Sequence, residues 1–300
     1  MTAGPRVRTA LRPLAAVVCL RTGTSNLHAA SSVRWTVCYS DTPSPAALAK
    51  YDVVVLDPVR HPPLALMQAR KRTLLAYLSL TEMDASHRAM PDVEAAGIAL
   101  SAHPEWTDAR FLDFRRPEWR RLVLDRLVPE ALAAGFNGMF LDTLDDAAYL
   151  ESVDGERYAG MQAAASELVT AIRRRYPHIV LMVNRGFALM PAIATSIDIV
   201  LGESVVTTFA PATAGAPGTS DPGTPAGRSY TWRSDDDIAW QVNALQEAQR
   251  LNPRLQVFTL DYWDPSDADG IRRIYREQRA RGFSPYVSTR ALDTLVEEPR

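Results

Sequence analysis

Gly135-Phe-Asn-Gly-Met-Phe-Leu-Asp-Thr-Leu-Asp-Asp146 reads as a helix stop, a short buried strand and then a cluster of carboxylates. Gly135 can take the left-handed conformation that ends a helix without a Cβ penalty. Met139, Phe140 and Leu141 form an unbroken apolar run, the mark of a strand covered on both faces. Asp142, Asp145 and Asp146 then fall within five positions. In a barrel of parallel strands, a polar group just past a strand's carboxyl end stands at the rim where chemistry takes place. Asp145 and Asp146 read equally well as caps of the next helix. Asp142 belongs to a pattern that recurs along the chain.

On the N-terminal side of this stretch, β-forming runs at 33–39, 53–56 and 74–80 alternate with helical segments at 44–50 and 64–71. Pro58, after Asp57, cannot continue a ladder. Helical spacing returns over 118–134, where Pro129 should kink or divide the element. On the C-terminal side Tyr158, Met161, Ala165, Leu168 and Ile172 recur at helical spacing, and Arg173, Arg174 and Arg175 suit the helix dipole at its last turn. Strands follow at 180–183, 197–201, 257–260 and 286–288, with helices at 187–194, 237–251 and 267–281 between them. Ser234 is a fair N-cap for the second of these helices. Gly282-Phe283 repeats the helix-stop-before-strand device of Gly135-Phe136. Eight strands alternating with helices specify an α/β fold, a (β/α)8 TIM barrel forming a single domain over 33–300. A doubly wound open sheet is the alternative, but the glycine-rich phosphate turn it normally carries after its first strand is missing. Residues 84–116 carry weak periodicity and read as a long loop over the barrel mouth. Residues 208–227, rich in Pro, Gly, Ala and Thr, read as a mobile surface insertion.

The chain is 300 residues long, which fits one barrel-sized domain. Its 33 Lys and Arg against 35 Asp and Glu give no basic stripe, so no nucleic-acid partner is expected. Two cysteines, Cys19 and Cys38, cannot build a disulfide framework. No run reaches the roughly 18 apolar residues of a membrane span. Arg6, Arg8 and Arg12 precede an apolar run over 14–20, and small residues follow at 29–32. That order resembles a secretory signal peptide, although Arg21 cuts the apolar core short. Residues 1–32 are therefore expected to be a removed or export-related leader, with an unstructured cytosolic tail as the alternative. The expected location is secreted or periplasmic, and the expected state a monomer.

The residues after successive strands are Tyr39 and Asp41, Asp57, Glu82, Asp142, Asn184, Glu203, Asp261 with Tyr262, and Ser288. Acids and hydroxyls converge here, with no Cys or His among them. There is no Gly-x-Ser-x-Gly nucleophile elbow, no metal cluster of recognisable spacing and no Walker loop. What remains is carboxylate chemistry. Cleaving a glycosidic bond needs one carboxyl to protonate the leaving oxygen and another to attack, or to activate water, from the opposite face. Asp142 and Glu203, at the ends of the fourth and sixth strands, are the best pair, the alternative being two structural acids salt-bridged to Arg185 or another base. Tyr39, Tyr77, Tyr262 and Trp263 suit stacking on sugar faces, with barrel packing the competing role for Tyr77.

Taken in order, Tyr77-Leu-Ser-Leu-Thr-Glu82, Gly135-Phe-Asn-Gly-Met-Phe-Leu-Asp142 with Asp145, Val183-Asn-Arg-Gly186, Gly202-Glu-Ser204 and Leu260-Asp-Tyr262 resemble the endo-α-1,4-polygalactosaminidase-like glycoside hydrolases, family 114 and related exopolysaccharide hydrolase domains. The resemblance covers nearly the whole chain after the leader. It implies the barrel fold and an endo-acting hydrolase of an α-1,4-linked galactosamine-containing polysaccharide, with no metal and no organic cofactor. It further implies Asp142 as nucleophile and Glu203 as acid/base in a retaining reaction. Asp57, Glu82, Asp145, Asn184, Asp261 and Tyr262 would line the substrate groove. Thr81 stands where relatives usually have a glycine before the acid. The alternatives are a non-catalytic carbohydrate-binding barrel, a glycosidase of this fold acting on a different polysaccharide, and a sugar isomerase, which would need a metal or histidine base at the rim.

Overall fold

Eight strands form one parallel sheet because each is a short apolar run that a helix can cover from outside. The computed structural model describes residues 33–104, 108–211 and 228–299. The expected leader, 1–32, and residues 212–227 of the expected insertion lie outside the described residues. In chain order the strands are β1 (Trp35–Cys38), β2 (Val53–Leu56), β3 (Thr73–Ser79), β4 (Glu82–Asp84), β5 (Ala99–Ala102), β6 (Ala109–Leu112), β7 (Gly138–Asp142), β8 (Val180–Asn184), β9 (Ile199–Glu203), β10 (Thr207–Pro211), β11 (Arg228–Trp232), β12 (Gln256–Tyr262) and β13 (Ser284–Ser288). The main sheet runs β1-β2-β3-β7-β8-β9-β12-β13, a nearly closed (β/α)8 TIM barrel. Trp35 Nε1 donates to the Ser284 carbonyl at 2.8 Å, joining the first and last strands.

The registers place the polar strand ends on one rim. Ser79 is level with Asp142 across β3 and β7, Asn184 with Leu201 across β8 and β9, and Leu260 with Glu203 across β12 and β9. Gly138 is required where β7 enters the barrel. A Cβ there would sit 2.3 Å from the Val180 carbonyl oxygen and 2.5 Å from Leu75 Cδ2. Gly135 has φ of 107° and ends the preceding helix as expected.

Two segments differ from expectation and a third refines it. The described residues of 84–116 are not a plain loop: β4, β6 and β5 form a three-stranded antiparallel sheet, with a helix at Met90–Ala95. Strands of three or four residues carry too little alternation to show a period. The helix expected to kink or divide at Pro129 is interrupted just before it, where a π-helical turn, Val123–Leu127, joins Pro117–Leu122 to Val128–Ala134. A proline has no N–H for the carbonyl four residues back, and the wider turn absorbs that mismatch. The insertion has ordered flanks, because β10 and β11 pair antiparallel from Thr207↔Trp232 to Pro211↔Arg228. A helix at Asp146–Val153 also appears, with Asp145 at its N-terminus. No helix among the described residues is long and apolar enough to cross a membrane.

Candidate active site

Three neighbouring strands end in a polar residue and then turn sharply. Asp142, Asn184 and Glu203 close β7, β8 and β9, and Thr143, Arg185 and Ser204 follow at φ of 69°, 50° and 52°. Left-handed backbone is costly for side-chain-bearing residues, most of all for a β-branched threonine. Here it ends each strand immediately after the polar residue. Thr143 is held by its own hydroxyl, which donates to the Asp142 carbonyl at 2.6 Å and meets Ser79 Oγ at 2.9 Å and Thr81 Oγ1 at 2.8 Å.

Asp142 and Glu203 sit on either side of β8, and Asn184 on that middle strand holds both. Its Nδ2 donates to Asp142 Oδ1 at 2.9 Å and to Glu203 Oε2 at 2.6 Å. By the triangle inequality those two oxygens are at most about 5.5 Å apart. Asn184 is 8% exposed, and its Oδ1 has no hydrogen-bond partner among the described residues. Asp142 also accepts from the Thr143 N–H at 2.8 Å and from the Tyr77 hydroxyl. Tyr262 donates its hydroxyl to Glu203 Oε1 at 2.6 Å. Neither acid is ion-paired among the described residues; Arg185 pairs instead with Asp145 at 2.8 Å.

Burial, and then the negative charge of Glu203, push the Asp142 carboxyl up to about 6, against the pull of its three donors. Tyr39, Tyr77 and Tyr262 surround the pair. Burial first, and nearby carboxylates after it, raise all three phenols well above their ordinary range, so they are held neutral as donors. Tyr39 meets Tyr77 edge-on with centroids 5.1 Å apart.

The pair opens into a cavity of about 1030 Å³, also lined by Tyr39, Asp57, Tyr77, Glu82, Asn184 and Tyr262. Asp57 Oδ1 is engaged by the backbone N–H groups of Val59 and Arg60 at 2.7 and 2.6 Å. Glu82, 3.8 Å from His103 Nε2, is pushed up to about 7 by burial and by the charges of Asp146 and Asp142. Thr81, at the position where a glycine was expected, is buried and donates to Asp146 Oδ2 at 2.9 Å.

Two expected groove residues are placed elsewhere. Asp261 is fully buried and faces away from the cavity. It accepts from the N–H groups of Val206 and Thr207 at 2.8 and 3.1 Å and from Gln278 Nε2 at 2.9 Å. Successive strand residues point to opposite faces, so Tyr262 and Asp261 cannot both look inward. Asp145 lies outside the cavity lining, paired with Arg185 and accepting from the Gly186 N–H at 3.0 Å. Sequence reasoning missed Thr143, Arg233 and Arg290, which line the cavity. Thr143 and Arg185 directly follow strand-end polar residues, and that position was the available signal. Among the described residues no group of three or more His, Cys, Asp or Glu side chains is arranged to hold a metal ion.

Solved structures that share this architecture include a glycoside hydrolase domain. The glycoside hydrolase domain of PelA from Pseudomonas aeruginosa superposes with a TM-score of 0.73 at 27% identity, over 88% of this chain and 97% of that one. Aspergillus fumigatus Ega3, solved in complex with galactosamine, gives a TM-score of 0.63 at 13% identity, over 89% and 95%, a likeness of fold. No curated protein sequence matches the chain. The sequence profile of glycoside-hydrolase family GH114 matches residues 20–300. With its acids gathered over one barrel-mouth cavity and that family match spanning nearly its whole length, the chain belongs to glycoside-hydrolase family GH114 and is a glycoside hydrolase.

Proposed function

We propose that the protein is a retaining endo-glycosidase that cleaves an α-1,4-linked, galactosamine-containing exopolysaccharide outside the cytoplasm. The observation that carries this reading is the single Asn184 amide holding one oxygen of Asp142 and one of Glu203 at most about 5.5 Å apart, which suits the close carboxyls of a retaining enzyme. Glu203, oriented by the Tyr262 hydroxyl, protonates the glycosidic oxygen as the bond breaks. Asp142 attacks the anomeric carbon and forms a covalent glycosyl-enzyme. Glu203 then takes a proton from water, which displaces Asp142 and returns the sugar with its original configuration. Asn184 Oδ1 supplies an acceptor for a hydroxyl or amino group of the bound sugar.

The polymer is inferred from charge and from kinship. Asp57, Glu82 and Asp84 line one part of the cavity and suit ammonium groups, while Arg88, Arg185, Arg233 and Arg290 line it too. The PelA glycoside hydrolase domain supports a glycan substrate, and Ega3, solved in complex with galactosamine, supports an amino sugar within it. Export is supported by the basic residues Arg6, Arg8 and Arg12 ahead of the apolar run at 14–20.

The test is reducing-end release from partially deacetylated galactosaminogalactan, with the anomer of the first product followed by NMR. Retention gives the α-anomer first; a β-anomer would overturn the nucleophilic role of Asp142, and intact polymer would overturn the substrate. Asp142→Asn and Glu203→Gln should each lower turnover by about 10³-fold or more while the circular dichroism spectrum stays that of the folded parent.

A further inference from the structure

Next to Arg185 stands an aromatic pair, Phe187, half-buried against the core, and the more open Trp240. Trp240 is 57% exposed, on a helix, Asp235–Leu251, whose buried residues are Gln241, Leu245 and Ala248. Its ring meets that of Phe187 in a T-shaped contact, centroids 5.8 Å apart at 83°. Its exposure alone would be ordinary, but its contact with Phe187 makes a paired aromatic surface rather than a lone side chain. Phe187 follows Asn184 by three residues, so at most about 11 Å of backbone separates it from the residue that holds the two acids. Arg185 makes the connection physical: it lines the cavity and places its guanidinium 6.0 Å from the Phe187 ring centre. Carboxylates flank the pair. Asp145 is ion-paired to Arg185, and Asp236, exposed and one helical turn from Trp240 on the same helix face, forms no ion pair among the described residues.

We propose that Phe187 and Trp240 form a distal subsite that stacks an amino-sugar residue of the polymer beyond the cleavage cavity, with Asp236 receiving its ammonium group. The occupant follows from the surface itself. An open aromatic face suits the C–H face of a sugar ring, a carboxylate beside it suits a cationic substituent, and Arg185 makes the platform continuous with the cavity. The subsite deepens the proposed function and rests on it: it grips long chains and gives short fragments nothing to hold.

The experiment measures the affinity of the full chain carrying Glu203→Gln, which leaves the polymer intact, for partially deacetylated galactosaminogalactan by affinity electrophoresis. Adding Trp240→Ala should weaken retardation about 5- to 10-fold, with the loss shrinking as the polymer is replaced by shorter oligomers. Trp240→Tyr, which keeps an aromatic face, should bind within about twofold of the parent. Equal retardation of the Trp240→Ala and parent proteins would overturn the subsite, as would an absence of retardation in both. Reducing-end release by the unmodified enzyme is scored separately, so active enzyme with an indifferent Trp240 sinks the subsite alone. Inactive enzyme on this polymer sinks the substrate reading instead.

Discussion

Asn184 is a small neutral residue given an electrostatic task between two acids. Its one amide nitrogen donates to both carboxylates, offsetting part of their repulsion and fixing their separation. The hydrogen bond to Asp142 lowers that carboxyl's pKa, while burial and the Glu203 charge raise it, with the balance at about 6. In the proposed reaction Asp142 must be ionised to attack, so activity should fall as pH drops through about 6. Asn184→Ala removes a donor that favours the anion, and the acid limb of kcat/KM should therefore move upward. Turnover should fall about 10- to 100-fold as the acids lose their alignment. A residue that only fills space would leave the limb in place, so a pH–rate profile of the variant decides the matter. Glu203→Gln should move the limb the other way, downward, because the charge that raises Asp142 is gone. That profile is measured on a substrate with an activated leaving group, which needs no acid.

Among elements, the segment after β9 is where fold and site are coupled most tightly. Asp261, buried on β12, binds the backbone N–H groups of Val206 and Thr207 and so pins the chain three residues past Glu203. Replacing it with alanine would leave those N–H groups and the Gln278 amide buried without partners. Asp261→Ala should cost about 2–4 kcal/mol in urea unfolding and lower kcat as Glu203 loosens, with KM changed less. The sequence made the barrel legible because each strand is a continuous apolar run closed by a polar residue, and 53–56 coincides with β2 end to end. It also brought Asp142, Asn184, Glu203 and Tyr262 to one rim, since the end of a parallel strand is a position readable from the chain alone. Asp261 was misplaced because adjacency in sequence hides the two-residue alternation that sends it outward while Tyr262 turns in. The sheet of β4, β5 and β6 was hidden for a different reason: Ala99-Leu-Ser-Ala102 is too short and too mixed to declare a face. The left-handed turns at Thr143, Arg185 and Ser204 have no signature in residue type at all, because glycine or asparagine would be the ordinary choice.

Taken as a whole, the molecule concentrates half-buried acid around its cavity, and that sets how its stability responds to pH. Burial pushes Asp146 up to about 7, helped by the charges of Asp142 and Asp145 and opposed by the Thr81 hydroxyl. Glu82 is raised to about 7 and Asp142 to about 6, each chiefly by burial. In the unfolded chain all three titrate near their ordinary values of about 4. Below about pH 4 both states are protonated and the full stabilisation is present. Between roughly pH 4 and 7 the native protein keeps protons that the unfolded chain has released, so raising the pH removes stability until the folded values are passed. Each unit of displacement is worth about 1.4 kcal/mol, and because the three acids feel one another their contributions do not simply add. The melting temperature should accordingly be higher at pH 5 than at pH 8, and Glu82→Gln should flatten the slope while raising the value at pH 8. Thermal melts of both proteins across that range test it, and a melting temperature that climbs from pH 5 to pH 8 would contradict the burial of these acids. The expected outcome sets stability against the proposed chemistry: the pH that best stabilises the fold is the one at which Asp142 carries its proton and cannot attack.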